Sequence, residues 1–294
     1  MDPPRIDLAS PGVSRQNLTA WIEWLSSPRL AGRHAGEAGA DATAAVLASQ
    51  MAAFGLTSPA AGYCRGFELL GGPDYNVVGL AGPTAPASDS PVVLLGAHYD
   101  GQGMHPAGAI YPGADDNASG LAALLEVARL VTRQRPSEDG ARTSAIGWVF
   151  AALGAEEVGQ VGSRAYLAAP SLDPSRIRLM INLDMVGRPW PGERRRAIGY
   201  QAMGPAREAT VSALDRAAEL AGVEVRPLAG LGELAPTISD ARVFAARMPT
   251  LLLSTALHED HHQLTDVPER IDYGQIERTV QLVLTLADIL ADRR

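Results

Sequence analysis

Hydrophobic positions follow two rhythms along the chain. Leu18, Trp21, Ile22 and Leu25 recur at helical spacing and predict a helix over about Ser14–Ser27; Ala38–Phe54, closed by Gly55, predicts a second. Asn76-Val-Val-Gly-Leu and Val92-Val-Leu-Leu-Gly are short apolar runs that predict strands, with the turn-rich Gly82-Pro-Thr-Ala-Pro-Ala-Ser-Asp between them. The rhythms then alternate. Helices are expected over Ala118–Arg133, Ser163–Ala168, Pro205–Ala221 and Tyr273–Ala291, and strands over Ala145–Leu153, Ile177–Met185 and Pro249–Ser254.

Continuous apolar strands separated by helices belong to sheets buried on both faces. The expectation is an α/β fold: one domain over residues 1–294, a mostly parallel mixed β-sheet with helices on both faces, and residues 1–60 as an N-terminal helical layer packed on it. In such sheets the working residues gather beyond the carboxyl ends of the strands.

Composition removes whole classes of function. With 46% hydrophobic and 20% charged residues, and no apolar run of about 18 residues, neither a disordered chain nor a membrane-spanning one fits. A net charge of −8 argues against nucleic acid, which requires a dense basic surface. Arg194-Arg195-Arg196 is a basic run that reads as a solvated loop or a substrate or partner contact. The basic residues are all arginine, which excludes lysine Schiff-base chemistry. A lone Cys64 excludes an intramolecular disulfide and a thiolate-rich zinc site, so any metal must sit on His, Asp and Glu. The opening Met-Asp-Pro-Pro-Arg-Ile-Asp lacks a basic segment followed by an apolar core; the expectation is a cytoplasmic protein, or a secreted one had a leader been trimmed.

Polar residues following the strands form a set: His98-Tyr99-Asp100, Asp115-Asp116-Asn117 before a helix, Glu156-Glu157, Asp184, and His258, His261 and His262. Singly, each has an ordinary reading: His98 as a satisfied core histidine, Asp116 as a helix cap, Glu156-Glu157 as a solvated pair. Together they offer imidazole and carboxylate, the ligands zinc takes, and a shared carboxylate can hold two ions about 3.5–4 Å apart with water activated between them. Asp100 stands two residues past His98, where it could accept the second ring N–H and fix the tautomer.

Gly96-Ala97-His98-Tyr99-Asp100, Tyr111-Pro112-Gly113-Ala114-Asp115-Asp116-Asn117-Ala118-Ser119-Gly120, Ala155-Glu156-Glu157-Val158-Gly159, Asn182-Leu183-Asp184-Met185 and His262-Gln263-Leu264-Thr265-Asp266 resemble, in order, the five signatures of the M28 zinc aminopeptidases. Ser163 and Ser239-Asp240 also resemble that family. The resemblance implies the zinc-dependent exopeptidase fold and two zinc ions per chain. It makes Asp116 the bridging carboxylate, His98 and Asp184 the companions of one ion, Glu157 and His262 those of the other, and Glu156 the general base. Asp115 is the alternative bridge. His261 precedes the last ligand, where some relatives carry a tyrosine that supports the developing oxyanion. It is a candidate for that role or a rim residue like His258 and His105. Ala241 departs from the Ser-Asp-His of many relatives, which puts substrate contacts in doubt more than zinc.

The implied activity is hydrolysis of the N-terminal peptide bond of a peptide or small aminoacyl substrate with a free amino terminus. The alternatives are a single-zinc glutaminyl cyclase, related exopeptidases acting from the carboxyl end, and a metal-stabilised binding module without catalysis. Side-chain preference and oligomeric state have no signature. The expected pocket walls are the loops Gly187–Ala197, with Trp190, and Ala229–Thr237. The resemblance also implies a cis Asp116-Asn117 peptide; an ordinary trans turn is the alternative.

Overall fold

The computed structural model describes residues 2–84, 90–133, 146–230 and 239–292. In chain order the elements are α1 (Arg15–Leu25), α2 (Ala38–Ala53), β1 (Cys64–Leu69), β2 (Gly72–Ala81), β3 (Val92–His98), α3 (Gly120–Arg133), β4 (Gly147–Leu153) and α4 (Val161–Ala168). They continue as β5 (Ile177–Leu183), β6 (Ile198–Met203), α5 (Arg207–Ala221), β7 (Val225–Pro227), α6 (Asp240–Ala245), β8 (Thr250–Ser254) and α7 (Tyr273–Asp292).

The strands form one eight-stranded sheet in the order β1-β2-β4-β3-β5-β8-β6-β7. Its centre, β4-β3-β5-β8, is parallel throughout. The flanking β1/β2, β2/β4 and β6/β8 pairings are antiparallel. Every position of β3, β4 and β8 is buried, which is why these runs are continuously apolar rather than alternating.

Alternate strand positions serve opposite faces. Val93, Leu95 and Ala97 of β3 enter one core with Leu18, Leu47, Leu124, Leu214 and Val283, drawn from α1, α2, α3, α5 and α7. Val92 and Leu94 enter the other with Tyr166 of α4 and Phe244 of α6. Among the described residues, helices therefore cover both faces, five on one and two on the other. No helix among the described residues is long and apolar enough to cross a membrane.

Four elements escape the sequence pattern. β1 alternates exposed and half-buried positions at the sheet edge, and β6, β7 and α6 are too short or too mixed for a periodicity to emerge. β2 begins four residues before the expected strand because it forms a hairpin with β1, Leu69 facing Gly72 across the two-residue turn Leu70-Gly71. The expected helix at Ala118 starts at Gly120, since 114–119 form an irregular turn in which Asp116 and Asn117 have non-helical dihedrals. Residue 145 of the strand expected over Ala145–Leu153 lies outside the described residues, as does most of Ala229–Thr237.

Within the N-terminal layer, α2 packs by a close backbone approach. An added Cβ on Gly39 of α2 would overlap the Leu30 carbonyl oxygen. In a free helix Gly→Ala stabilises by about 0.5–1 kcal/mol. Here the overlap reverses the sign, and Gly39→Ala should destabilise by about 1–3 kcal/mol, the cost of overpacking. A lowered urea midpoint in equilibrium unfolding checks this; a raised midpoint would contradict the packing of α2.

Candidate metal centre

Because β4, β3, β5 and β8 are parallel neighbours, their carboxyl ends open on one edge of the sheet. His98 is the last residue of β3, and Glu156-Glu157 follow β4 by a tight turn in which Ala155 has φ 57°. Asp184 follows β5 directly, His261-His262 lie beyond β8, and Asp116 comes from the turn before α3. The site is thus assembled from chain segments far apart in sequence by the parallel order of four strands.

Asp116 is the centre of the arrangement, and its two oxygens face different partners. Oδ1 is 3.4 Å from His98 Nε2, while Oδ2 is 3.0 Å from His262 Nε2 and 3.5 Å from His261 Nε2. Asp184 Oδ1 lies 3.7 Å from His98 Nε2, and Glu157 Oε2 lies 3.2 Å from His262 Nε2. One cavity of about 240 Å³ is lined by His98, Asp116, Glu157, Asp184 and His262, and also by Glu156, Gln160, Met185, Leu257 and His261. Two overlapping groups have the spacing of metal donors: His98 with Asp116 and Glu157, and Asp116 with His261 and His262. Glu157 Oε1 is buried without a hydrogen-bond partner, an arrangement that costs free energy unless something else occupies the site. Carboxylate and imidazole donors, with an orphaned carboxylate oxygen among them, fit zinc.

The neighbouring aspartate has another task. Asp115 Oδ1 accepts the Gly187 N–H at 2.7 Å, and Oδ2 lies 3.0 Å from His258 Nε2. Asp266 accepts the N–H groups of Asp115 and Asp116, each at 3.0 Å, which pins the backbone of the turn that carries both side chains. His258 is therefore a partner of Asp115 at 14% side-chain exposure rather than a rim residue. Asn117 donates to the Leu183 carbonyl at 2.9 Å and accepts from Gly120 and Met185, joining the Asp116 turn to the end of β5. The Asp116-Asn117 peptide is cis, as the resemblance implies.

Asp100 differs from expectation in what it holds. Its Oδ1 stands 3.6 Å from His98 Nδ1, beyond a good hydrogen bond, while its two oxygens accept the N–H groups of Glu156 at 3.0 Å and Glu157 at 3.1 Å. Its structural action is to orient the glutamate pair. His261 stacks on His262 with ring centroids 3.7 Å apart, and lies at the cavity wall with 29% of its side chain exposed. Trp190 is buried in a separate cluster with Ala241 and Leu252, so the apolar wall comes instead from Met185 and Leu257.

Charge in the site is concentrated and mutually dependent. Burial, reinforced by Asp240, Asp184 and Glu157 and opposed by His98, pushes Glu156 up to about 9. Burial alone would lower His98, but Asp100, Asp116 and Asp184 outweigh it and raise it well above the ordinary histidine value. Bonds to Asp116 and Glu157 carry His262 up to about 10, whereas burial leads the causes that lower His261. Burial would raise Asp116, yet His262 and His98 hold it below the usual carboxylate range.

Three residues of this site have no signature in the sequence. Gln160 Nε2 donates to Glu156 Oε1 at 3.2 Å, and Gln102 Nε2 lies 2.6 Å from Glu157 Oε2. Arg33 is fully enclosed and donates to the carbonyls of Leu25, Tyr99, Pro112 and Gly113, tying α1 to both the His98 and Asp116 loops. Burial lowers its pKa against the pull of Asp100, Asp116, Asp266 and Glu157, so a buried cation backs the acidic centre.

Comparison with known proteins places this geometry. Over 116 residues the chain is 36% identical to Aminopeptidase YwaD of Bacillus subtilis, covering 39% of this chain and 22% of that protein. The chain spans about a third or less of the length of the curated relatives it matches. The fold is similar to that of BSAP, a zinc aminopeptidase from Bacillus subtilis, with a TM-score of 0.73 at 17% identity, covering 95% of both chains. It is also similar to a glutaminyl cyclase from Bacteroides thetaiotaomicron bound to N-acetylhistamine, with a TM-score of 0.70 at 21% identity, covering 97% of this chain and 99% of that one. Peptidase family M28 matches residues 76–287, every strand of the parallel centre and every candidate ligand included, and the chain belongs to that family.

Proposed function

We propose that the chain is a zinc-dependent aminopeptidase that removes the N-terminal residue of peptides, with an ion on each side of Asp116 and Glu156 as general base. The observation that carries the reading is the orientation of Asp116, whose two oxygens face His98 and His262 separately. His98 and Asp184 would hold one ion with it, Glu157 and His262 the other. Two zinc ions bound there would lower the pKa of water from about 15.7 toward neutrality, polarise the scissile carbonyl and favour the ionised form of Glu156.

Glu156 lines the cavity beside these ligands and is held by Gln160. Ionised, it takes a proton from the attacking water and then delivers that proton to the leaving amine. His261, kept neutral by burial, can donate a ring N–H to the oxygen that gains charge. A cavity of about 240 Å³ has room for an aminoacyl group but not for a folded polypeptide, and its carboxylates suit an α-ammonium group.

Activity should therefore require a free amino terminus. A charge-assisted hydrogen bond contributes about 1.5–3 kcal/mol, so N-acetylation should lower kcat/KM roughly 10- to 100-fold. A panel of aminoacyl-p-nitroanilides with N-acetylated controls and an N-terminal glutaminyl peptide tests this. Equal cleavage of blocked and free substrates would contradict the aminopeptidase reading, and cyclisation of the glutaminyl peptide without hydrolysis would favour the cyclase.

A further inference from the structure

The loop after β4 is shut by nested backbone bonds. Gly162 N–H donates to Gly154 O at 3.1 Å, Val161 N–H to Ala155 O at 2.9 Å and Gln160 N–H to Glu156 O at 2.9 Å. Asn76 of β2 buckles the stem, accepting the Gly154 N–H at 3.1 Å and donating to Gly162 O at 2.8 Å. An added Cβ on Gly162 would overlap both Gly154 O and Asn76 Oδ1, so the loop closes this tightly only with glycine there. Glu156 and Gln160 thus sit on a fixed ring of chain, and Gln160 Nε2 donates to Glu156 Oε1 at 3.2 Å.

The backbone at Gln160 is strained. Its φ of 53° is left-handed, a conformation open to glycine and tolerated by asparagine and aspartate, but one that glutamine adopts only against steric repulsion. Gly159, with φ 105°, shows the residue type such a turn ordinarily takes. Gln160 stands at the N-cap position of α4, yet its side chain makes no capping bond, so starting the helix does not explain it. It lines the cavity instead, with its amide on Glu156. Strained residues held in place by their surroundings concentrate at functional sites.

That bond selects an orientation of the carboxyl group. The main chain of Glu156 is fixed at both ends: its N–H donates to Asp100 Oδ1 at 3.0 Å, and its carbonyl accepts the N–H groups of Gly159 and Gln160. These contacts leave the side-chain torsions free. With Oε1 held by the amide, the torsions are restricted and Oε2 is the oxygen left to meet a reacting water. Oε1 accepts the bond whether the group is ionised or carries a proton on Oε2, so the hold does not depend on charge state.

We propose that Gln160 is a positioning residue for the general base, aiming Glu156 by holding one of its oxygens, and that the left-handed strain at residue 160 is accepted in order to place an amide there. The inference rests on the general-base reading above.

The test is steady-state kinetics on an aminoacyl-p-nitroanilide, with zinc content and Tm, for wild type, Gln160→Met, Gln160→Gly, Glu156→Gln and the double variant that combines Glu156→Gln with Gln160→Met. Methionine fills similar space without a donor. Gln160→Met should lower kcat about 10-fold or more with KM and zinc content little changed, since a small misplacement of a reacting group slows turnover. Gln160→Gly relieves the strain, so it should lose turnover too while its Tm equals that of wild type or rises by about 1–3 °C. In the Glu156→Gln background, Gln160→Met should cause no further loss, because Gln160 acts through Glu156. Unchanged kcat in Gln160→Met overturns the assignment. A raised KM at unchanged kcat also overturns it and makes Gln160 a substrate contact. Additive losses in the double variant, or a lowered Tm in Gln160→Gly, give the side chain a role in the fold instead. If Glu156→Gln is as active as wild type, the general-base reading fails and the role of Gln160 with it; if Glu156→Gln loses turnover and Gln160→Met does not, the role of Gln160 alone fails.

Discussion

Replacing Glu156 by Gln should lower kcat by about 10²–10⁴ while leaving zinc content and KM nearly unchanged, since an amide fills the same space but cannot shuttle a proton. Glu156 is 7% exposed and contacts Gln160, so the variant keeps a partner for its side chain. The backbone N–H of residue 156 still donates to Asp100, which preserves the glutamate turn. Loss concentrated in kcat is the mark of an interaction made in the transition state rather than in binding. Steady-state kinetics on an aminoacyl-p-nitroanilide, with metal analysis of the same samples, checks it. Full activity in Glu156→Gln would remove the proposed base.

Asp116→Ala should have the opposite signature, losing metal as well as turnover. A bridge contributes to both ions, so its removal affects each side at once, unlike the loss of His98 or His262. The same measurement has a stability readout: a ligand that binds only the folded state stabilises it by about 4.1 kcal/mol at 1,000 times its Kd. Wild type should therefore gain Tm on addition of zinc, and Asp116→Ala should not. Asp115→Ala is the control one residue away. It removes the contacts to Gly187 and His258 and should lower Tm while keeping the zinc-dependent gain. Equal zinc-dependent gains in wild type and Asp116→Ala would remove Asp116 from the bridge.

How much of this was legible in the sequence depended on the physical signal each feature leaves. Strands β3, β4, β5 and β8 are long apolar runs because they lie in the parallel centre, and the polar residues at their exits could be read against that background. β1 left no such signal because edge strands need not be apolar. Choosing between Asp115 and Asp116 required the family's spacing; the structure adds the reason, since the Asp115 carboxylate is taken by Gly187 and His258 while that of Asp116 faces His98 and His262. Gln102 and Gln160 could not be found from pattern, because a glutamine on a loop is ordinary and its partners are fixed only when the chain is folded. Arg33 was hidden for the same reason: its carbonyl acceptors come from three separate segments.

The central claim is that Asp116 stands between two zinc ions, and anomalous diffraction at the zinc edge from crystals grown with zinc tests it most directly. The account predicts two peaks flanking the Asp116 carboxylate, one beside His98 and Asp184 and the other beside Glu157 and His262. A single peak, or none within reach of Asp116, would contradict it.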